Sequence, residues 1–263
     1  ALLLSDGAML ATYYGDSGLR ALAEGAVLVH PEQARPALQT LARAGWQMGQ
    51  LHAAALPDAY FDLVHAGVLT NAAGQHLRVQ WRLVAHDRRS HADDEVWGTS
   101  QPGELGERPV RTPAPEALML GLLDSLTAYA PARVLPCLAD LWALLGDPRL
   151  DMARLVEATG ARRMADLLRL ALEFLSGLAD GTPIQPQIPS ALAALPPSPR
   201  GAAVCVALRR PATRWNRILL RWQCFRLGQE NVVTAALRFP HHIQYTLGEP
   251  NLLSVGRHVL RRR

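Results

Sequence analysis

Short apolar runs alternate with amphipathic stretches through the first third of the chain. Leu2-Leu3-Leu4 is an apolar run bounded by Ser5-Asp6-Gly7 and predicts a buried strand. Residues 8–14 then read as a helix, and Val27-Leu28-Val29 as a second strand. Pro31 suits the first position of a helix, with Glu32 in the first turn, where the macrodipole favours an acid. Ala34, Ala37, Leu38 and Leu41 share one face of that helix, and Gly45 stops it. Residues 61–69 and 77–84 flank Asn71-Ala72-Ala73-Gly74 and predict two strands of a hairpin. In the second strand Leu77, Val79, Trp81 and Leu83 alternate with Arg78, Gln80 and Arg82, the period of a half-buried strand.

The pattern changes after residue 86. Residues 87–113 are polar and rich in Gly, Pro and charge, which predicts a long loop. From Thr112 or Pro113 the spacing becomes helical, with Leu118, Leu122, Leu123 and Leu126 facing inward. Further helices are predicted over 132–145, 152–158 with Asp151 as cap, and 162–178 after a break at Gly160. Residues 180–201 are rich in Pro and Gly and read as a linker. Residues 213–227 predict a helix with a buried stripe of Trp215, Ile218, Leu219, Trp222 and Phe225. Residues 251–263 predict a last helix ending in Arg261-Arg262-Arg263. The expected fold is therefore α+β: a small mixed β-sheet domain over 1–111, then a helical domain over 112–263 with its Pro-rich linker near 180–201.

Composition narrows the chemistry. Apolar residues make up 49% of the 263, enough for a sizeable core. All 27 basic residues are arginine, so no lysine is available for a phosphate loop, a Schiff base or a Ser-Lys dyad. Cys137, Cys205 and Cys224 fit no zinc or redox spacing and suggest reduced thiols in a cytoplasmic protein. No signal peptide is visible, and the most apolar run, 117–145, is interrupted by Asp124, Arg133 and Asp140, so no transmembrane segment is expected. The chain opens at Ala1 in an apolar run without a methionine, so preceding residues are expected.

Several clusters were weighed as sites. His91-Ala92-Asp93-Asp94-Glu95, with His86 and Asp87 nearby, offers cation ligands, against the simpler reading of a solvated loop. Ser5 follows a strand, yet no Gly-x-Ser-x-Gly elbow exists for a hydrolase. His241-His242 and His258 lack ligand spacing and read as surface or interface residues. The arginines of 257–263 could meet nucleic acid or an anionic membrane surface, against the reading of a solvated tail. Arg209-Arg210 and Arg214 lie in no discernible recognition module, which disfavours nucleic acid as partner.

A further pattern emerges when the first segments are taken in order. Leu3-Leu4-Ser5-Asp6-Gly7 is followed by a helix, then by Gly18-Leu19-Arg20-Ala21-Leu22-Ala23-Glu24-Gly25-Ala26 and the strand at Val27. Later come Arg78-Val79-Gln80-Trp81-Arg82-Leu83 and Leu138-Ala139-Asp140-Leu141. In order and spacing these segments resemble the uncharacterised bacterial nucleotidyltransferases whose catalytic domain is like that of DNA polymerase β. The Arg214-Trp215 helix and the Arg-rich end are also similar to that family's ending. The resemblance implies a nucleotide site at Ser5, Asp6, Gly7, Arg20, Glu24 and Arg78. It also implies metal carboxylates where this chain has Glu24, Ala26 and Arg78, a lysine at Asp6 and a histidine at Gln80. Two carboxylates at i and i+2 of a strand reach the same cations, and a third on the neighbouring strand completes the cage. Here only Glu24 is acidic, so the expectation is a pseudo-nucleotidyltransferase with Glu24 as its catalytic remnant, no metal site and no cofactor. Asp6 and Glu24 are expected to form ion pairs with Arg20 or Arg78. The resemblance places relatives in gene clusters for peptide natural products and surface polysaccharides, implying a protein or peptide partner. Two alternatives stay open. One is an active enzyme using magnesium and an NTP around Glu24. The other is a basic nucleic-acid or membrane-surface binder. Metal-free contact of Arg78 with a phosphate also leaves nucleotide binding open.

Overall fold

The computed structural model describes residues 1–14, 18–128, 131–178, 192, 193, 195, 197–211 and 213–261. The fold is α+β. Strands β1 (Leu2–Leu3), β2 (Gly25–Leu28), β3 (Ala66–Thr70) and β4 (His76–Gln80) form a mixed sheet in the order β1-β2-β4-β3. β2 and β4 run parallel, and the outer pairs are antiparallel. Helix α1 (Ser5–Thr12) follows β1, and α2 (Ala34–Arg43) and α3 (Asp58–Leu63) supply the crossover to β3. The alternation of a strand sorts β2 between two cores. Ala26 and Leu28 enter a large cluster with α1 and the later helices, whereas Val27 and Val29 join Leu38, Tyr60, Val79 and Trp81 on the opposite face.

Two stretches of the sheet region differ from expectation. The apolar run 61–69 is not one strand: α3 occupies its start, and β3 begins at Ala66. Tyr60, Leu63 and Val64 are all buried at spacings of three and four, so the helical period outweighs the strand propensity of the run. β4 stops at Gln80, and Trp81 turns inward, where its Nε1 donates to the Phe61 carbonyl at 3.1 Å. The turn at 71–74 joins β3 to β4 as expected. The Asn71 side chain accepts from the Ala73 and Gln75 amides, and Gly74 takes a left-handed φ of 75°.

Residues 87–113 are not a long loop. They contain α4 (Asp94–Gly98) and a hairpin of β5 (Gln101–Leu105) and β6 (Arg108–Thr112). Pro102, Gly103 and Pro109 disguise these strands, since such residues are at home only in exposed or edge ladders. Gly106, at φ 60°, begins the two-residue turn. The hairpin packs on α1 and β1.

Helices α5 (Pro115–Leu126), α6 (Pro131–Leu145), α7 (Met152–Ala161) and α8 (Ala165–Leu178) follow. Leu118, Leu122 and Leu123 are buried as expected. Asp151 caps α7 through the Ala153 and Arg154 amides, but the helix runs past Gly160, and α8 starts at Ala165 rather than Arg162. The proposed linker near 180–201 lies largely outside the described residues, though its end opens α9 (Pro199–Leu208). Helix α10 (Arg214–Leu227) buries Leu220, Phe225 and Leu227. Trp215, expected in its core stripe, is 70% exposed and covered by the Arg214 guanidinium instead. Helices α11 (Val232–Thr246) and α12 (Leu252–Arg261) complete the chain, and α11 returns to pack on α3.

At the end of α10 the chain passes hard against the segment after β4. A Cβ built on Gly228 would lie 2.0 Å from the His86 carbonyl oxygen, closer than any real contact. Gly228→Ala should therefore lower stability by about 1–3 kcal/mol through overpacking. A urea midpoint unchanged from wild type would refute that.

Candidate functional site

The register of the central strands defines this site. Ala26 on β2 pairs with Arg78 on β4, and residues in register on adjacent strands share a face. Glu24, two residues before Ala26, belongs to the same face. Its carboxylate receives the Arg78 guanidinium as a fork, Nε to Oε1 at 3.2 Å and a terminal nitrogen to Oε2 at 2.9 Å. The Glu24 side chain is only 6% exposed, so this pair compensates a carboxylate largely removed from water. Gln80, two residues beyond Arg78, is also buried. It lines a cavity of about 10 Å³ with Ser5, Gly121 and Ser125. On α5 nearby, the Asp124 carboxyl accepts from the Ala85 amide, and burial pushes its pKa up to about 7 against the pull of that amide and of Arg78.

Asp6 belongs to a separate centre. It sits in the first turn of α1, which starts at Ser5 and so includes Asp6 and Gly7, both expected in the preceding turn. Gly7 is buried where a Cβ would press on the Leu3 side chain. The Arg20 guanidinium donates to Asp6 at 2.7 Å and to Asp140 of α6 at 2.9 Å. A second carboxylate oxygen of Asp6 receives the Ala23 amide. Asp140 is fully buried, and its other oxygen accepts from Arg20 Nε and from the Tyr14 hydroxyl at 2.9 Å. The hydrogen bond to Asp140 raises the Arg20 pKa, and burial with the Asp140 contact pushes Tyr14 up to about 12. A parallel contact lies next door. Tyr13 donates to Asp147, which Arg149 holds down at a pKa of about 2.

The expected site residues thus divide between two ion pairs, Glu24 with Arg78 and Asp6 with Arg20, with Ser5 and Gly7 beside them. Asp140 and Tyr14 complete the second centre and were not anticipated as site residues. The available signal was a charge on the core-facing side of α6, among Cys137, Leu138, Leu141 and Leu144.

The other clusters disperse. Asp87 pairs with Arg89, Asp93 accepts from the Leu83 amide, His91 meets Asp94, and Glu95 meets Arg154. Among the described residues no three His, Cys, Asp or Glu side chains are grouped as they would be to hold a metal ion. His242 is half-buried, with its Nδ1 against the Leu63 carbonyl of α3, an internal packing position. The three cysteines are free. Arg262 and Arg263 lie outside the described residues, as does the side chain of His258. Among the described residues, no helix is long and apolar enough to cross a membrane.

A strand-helix unit on a small mixed sheet, followed by packed helices, defines a nucleotidyltransferase-like protein. The chain belongs to a family described as uncharacterised nucleotidyltransferases, whose model matches residues 3–179. Among curated proteins none matches it. Among solved structures it is similar to an antigenic nucleotidyltransferase-like protein from Paracoccidioides brasiliensis. The identity is 15%, over 75% of this chain and 85% of that one, with a TM-score of 0.38.

Proposed function

We propose that this chain keeps the nucleotidyltransferase scaffold without metal-dependent nucleotidyl transfer, and serves as a binding or scaffolding protein for a protein or peptide partner in a bacterial biosynthetic pathway. The observation that carries this reading is the Glu24–Arg78 fork, which engages both Glu24 oxygens with a guanidinium. Magnesium is held mainly by carboxylate oxygens and substrate phosphates. Of the three positions the resemblance assigns to metal ligands, Ala26 offers no oxygen, and Arg78 brings a permanent positive charge that repels a divalent ion. Asp6, the nearest other acid of the motif, is committed to Arg20. The residues therefore do not suit a magnesium ion, and no catalytic step is derived through one.

Calorimetric titration with each NTP plus magnesium should give no metal-dependent heat, and labelled NTP should transfer to no acceptor. Micromolar, magnesium-dependent binding together with label transfer would overturn the proposal. Glu24→Gln separates the two cases further, because an active enzyme loses turnover whereas a scaffold keeps its partner.

A further inference from the structure

A concentration of arginine charge lies away from the Glu24–Arg78 face. A cleft of about 270 Å³ opens where residues 86–89, the end of α7 and the end of α10 meet. Arg88, Arg89, Arg162 and Arg163 line it, opposed by Asp87 and Glu230. It shares no residue with the site described above. With Asp93 a further 4.0 Å from Arg162, four cations against three acids leave a formal charge of +1 around the cleft.

The acids are, moreover, already divided. Asp87 serves both Arg89, at 2.6 Å, and Arg162, at 3.3 Å. Arg163 donates to the Leu227 carbonyl and Arg88 to the Leu63 carbonyl. Among the described residues neither meets a carboxylate within ion-pair distance. Burial and the nearby charges of Arg82 and Arg238 pull the Arg88 pKa down to about 10, against the pull of Asp62, and its guanidinium lies over the Phe225 ring.

Unused donors lie in the same wall. Gln229 is only 6% exposed, yet its amide nitrogen has no acceptor among the described residues. The Nε of Arg88 is also without one, and that of Arg162 faces Asp87 without hydrogen-bond geometry. A buried donor left unmade costs about 1–3 kcal/mol, so the Gln229 amide calls for an acceptor.

We infer that this cleft binds a phosphoryl group, either free phosphate or the end of a small phosphate monoester. The ligand must be an anion that accepts hydrogen bonds, because the arginine and Gln229 groups offered to it are donors. A phosphate at neutral pH carries about 1.5 to 2 negative charges. Guanidinium forks also match phosphate oxygens in geometry. The cleft exceeds one phosphate in size. It adjoins a second of about 340 Å³ that shares Arg89, Ala161 and Arg162, which gives room for an ester body.

The test titrates the full chain with inorganic phosphate and with glycerol 3-phosphate, by calorimetry and by the ¹⁵N signals of glutamine side chains. Saturable one-to-one binding of at least one probe is expected, together with a shift of the Gln229 amide. Tighter binding of glycerol 3-phosphate identifies a monoester, and equal binding identifies free phosphate. Gln229→Leu and Arg163→Gln should each weaken binding by about tenfold, as loss of one charge-assisted hydrogen bond implies. No saturable binding of either probe to the wild-type chain would overturn the inference. So would binding that leaves the Gln229 amide unmoved, a result that needs no variant to fold.

Discussion

Replacing Asp140 with alanine should cost the folded protein about 3–5 kcal/mol, the usual penalty for removing one partner of a buried pair. Asp140 is wholly shielded from solvent, and Arg20 nearly so, at 12%. Among the described residues Arg20 then keeps only Asp6 and the Ala21 carbonyl, and the Tyr14 hydroxyl loses its acceptor. Asp140→Asn should fall between, since the amide retains one oxygen for Tyr14 but no charge for Arg20. Equilibrium urea unfolding measures both. A loss below about 1 kcal/mol for the alanine variant, the scale of an exposed ion pair, would show that the centre is held by packing instead.

Acid should destabilise the protein well above the range in which ordinary carboxylates titrate. Burial holds the pKa of His65 well below the usual value of 6.5, pulls His86 down, and takes His242 down to about 4. In the neutral form, His86 and His242 donate to the carbonyls of Arg162 and Leu63. The sign follows from proton uptake. As pH falls below 6.5 the unfolded chain protonates these rings while the folded chain does not, so stability present above 6.5 is lost on the way down to about 4. Three protons taken up by the unfolded state alone correspond to about 4 kcal/mol per pH unit at most. Asp124 acts in the opposite sense. Its folded pKa of about 7 lies above its ordinary 3.8, so its contribution is complete below 3.8 and fades as pH rises through 7. Urea midpoints compared at pH 7.5 and 5.5 should drop at the lower pH, and His242→Gln should flatten the drop. Equal midpoints at the two pH values would sink the prediction.

Much of the architecture was legible because short-range patterning and long-range packing agree there. β1, β2 and β4 carry apolar runs or a clean alternation, and α5, α6 and α8 carry apolar stripes at helical spacing. That Glu24 and Asp6 meet Arg20 or Arg78 was legible too, because opposite charges lie on neighbouring segments, but which acid takes which arginine was not. What failed was local signal overruled at a distance. Residues 61–69 look like a strand by composition, but Tyr60, Leu63 and Val64 are drawn into a core that only a helix lets them share. The β5–β6 hairpin hides behind two prolines. Helix α11 was not anticipated, and it carries a proline, Pro240, within it. Asp140 stood out as an interruption of an apolar stretch and within Leu138-Ala139-Asp140-Leu141, a segment of the resemblance, but not as a partner of Arg20. Its role depends on Arg20, 120 residues earlier, and no local rule reaches that far.

The end of α1 is held by two adjacent tyrosines. Tyr14 grips Asp140 within α6, and Tyr13 grips Asp147 just beyond it. One such contact would act as a pivot, leaving the segment free to turn. Two anchors seven residues apart along the receiving chain take away that rotation. The heading of α1, set by its packing on β2, β5 and α5, is thus also held from α6 at its far end, and with it the place of Ser5 and Asp6. A change in the helical half of the chain can therefore re-aim the N-terminal motif without touching any residue of it.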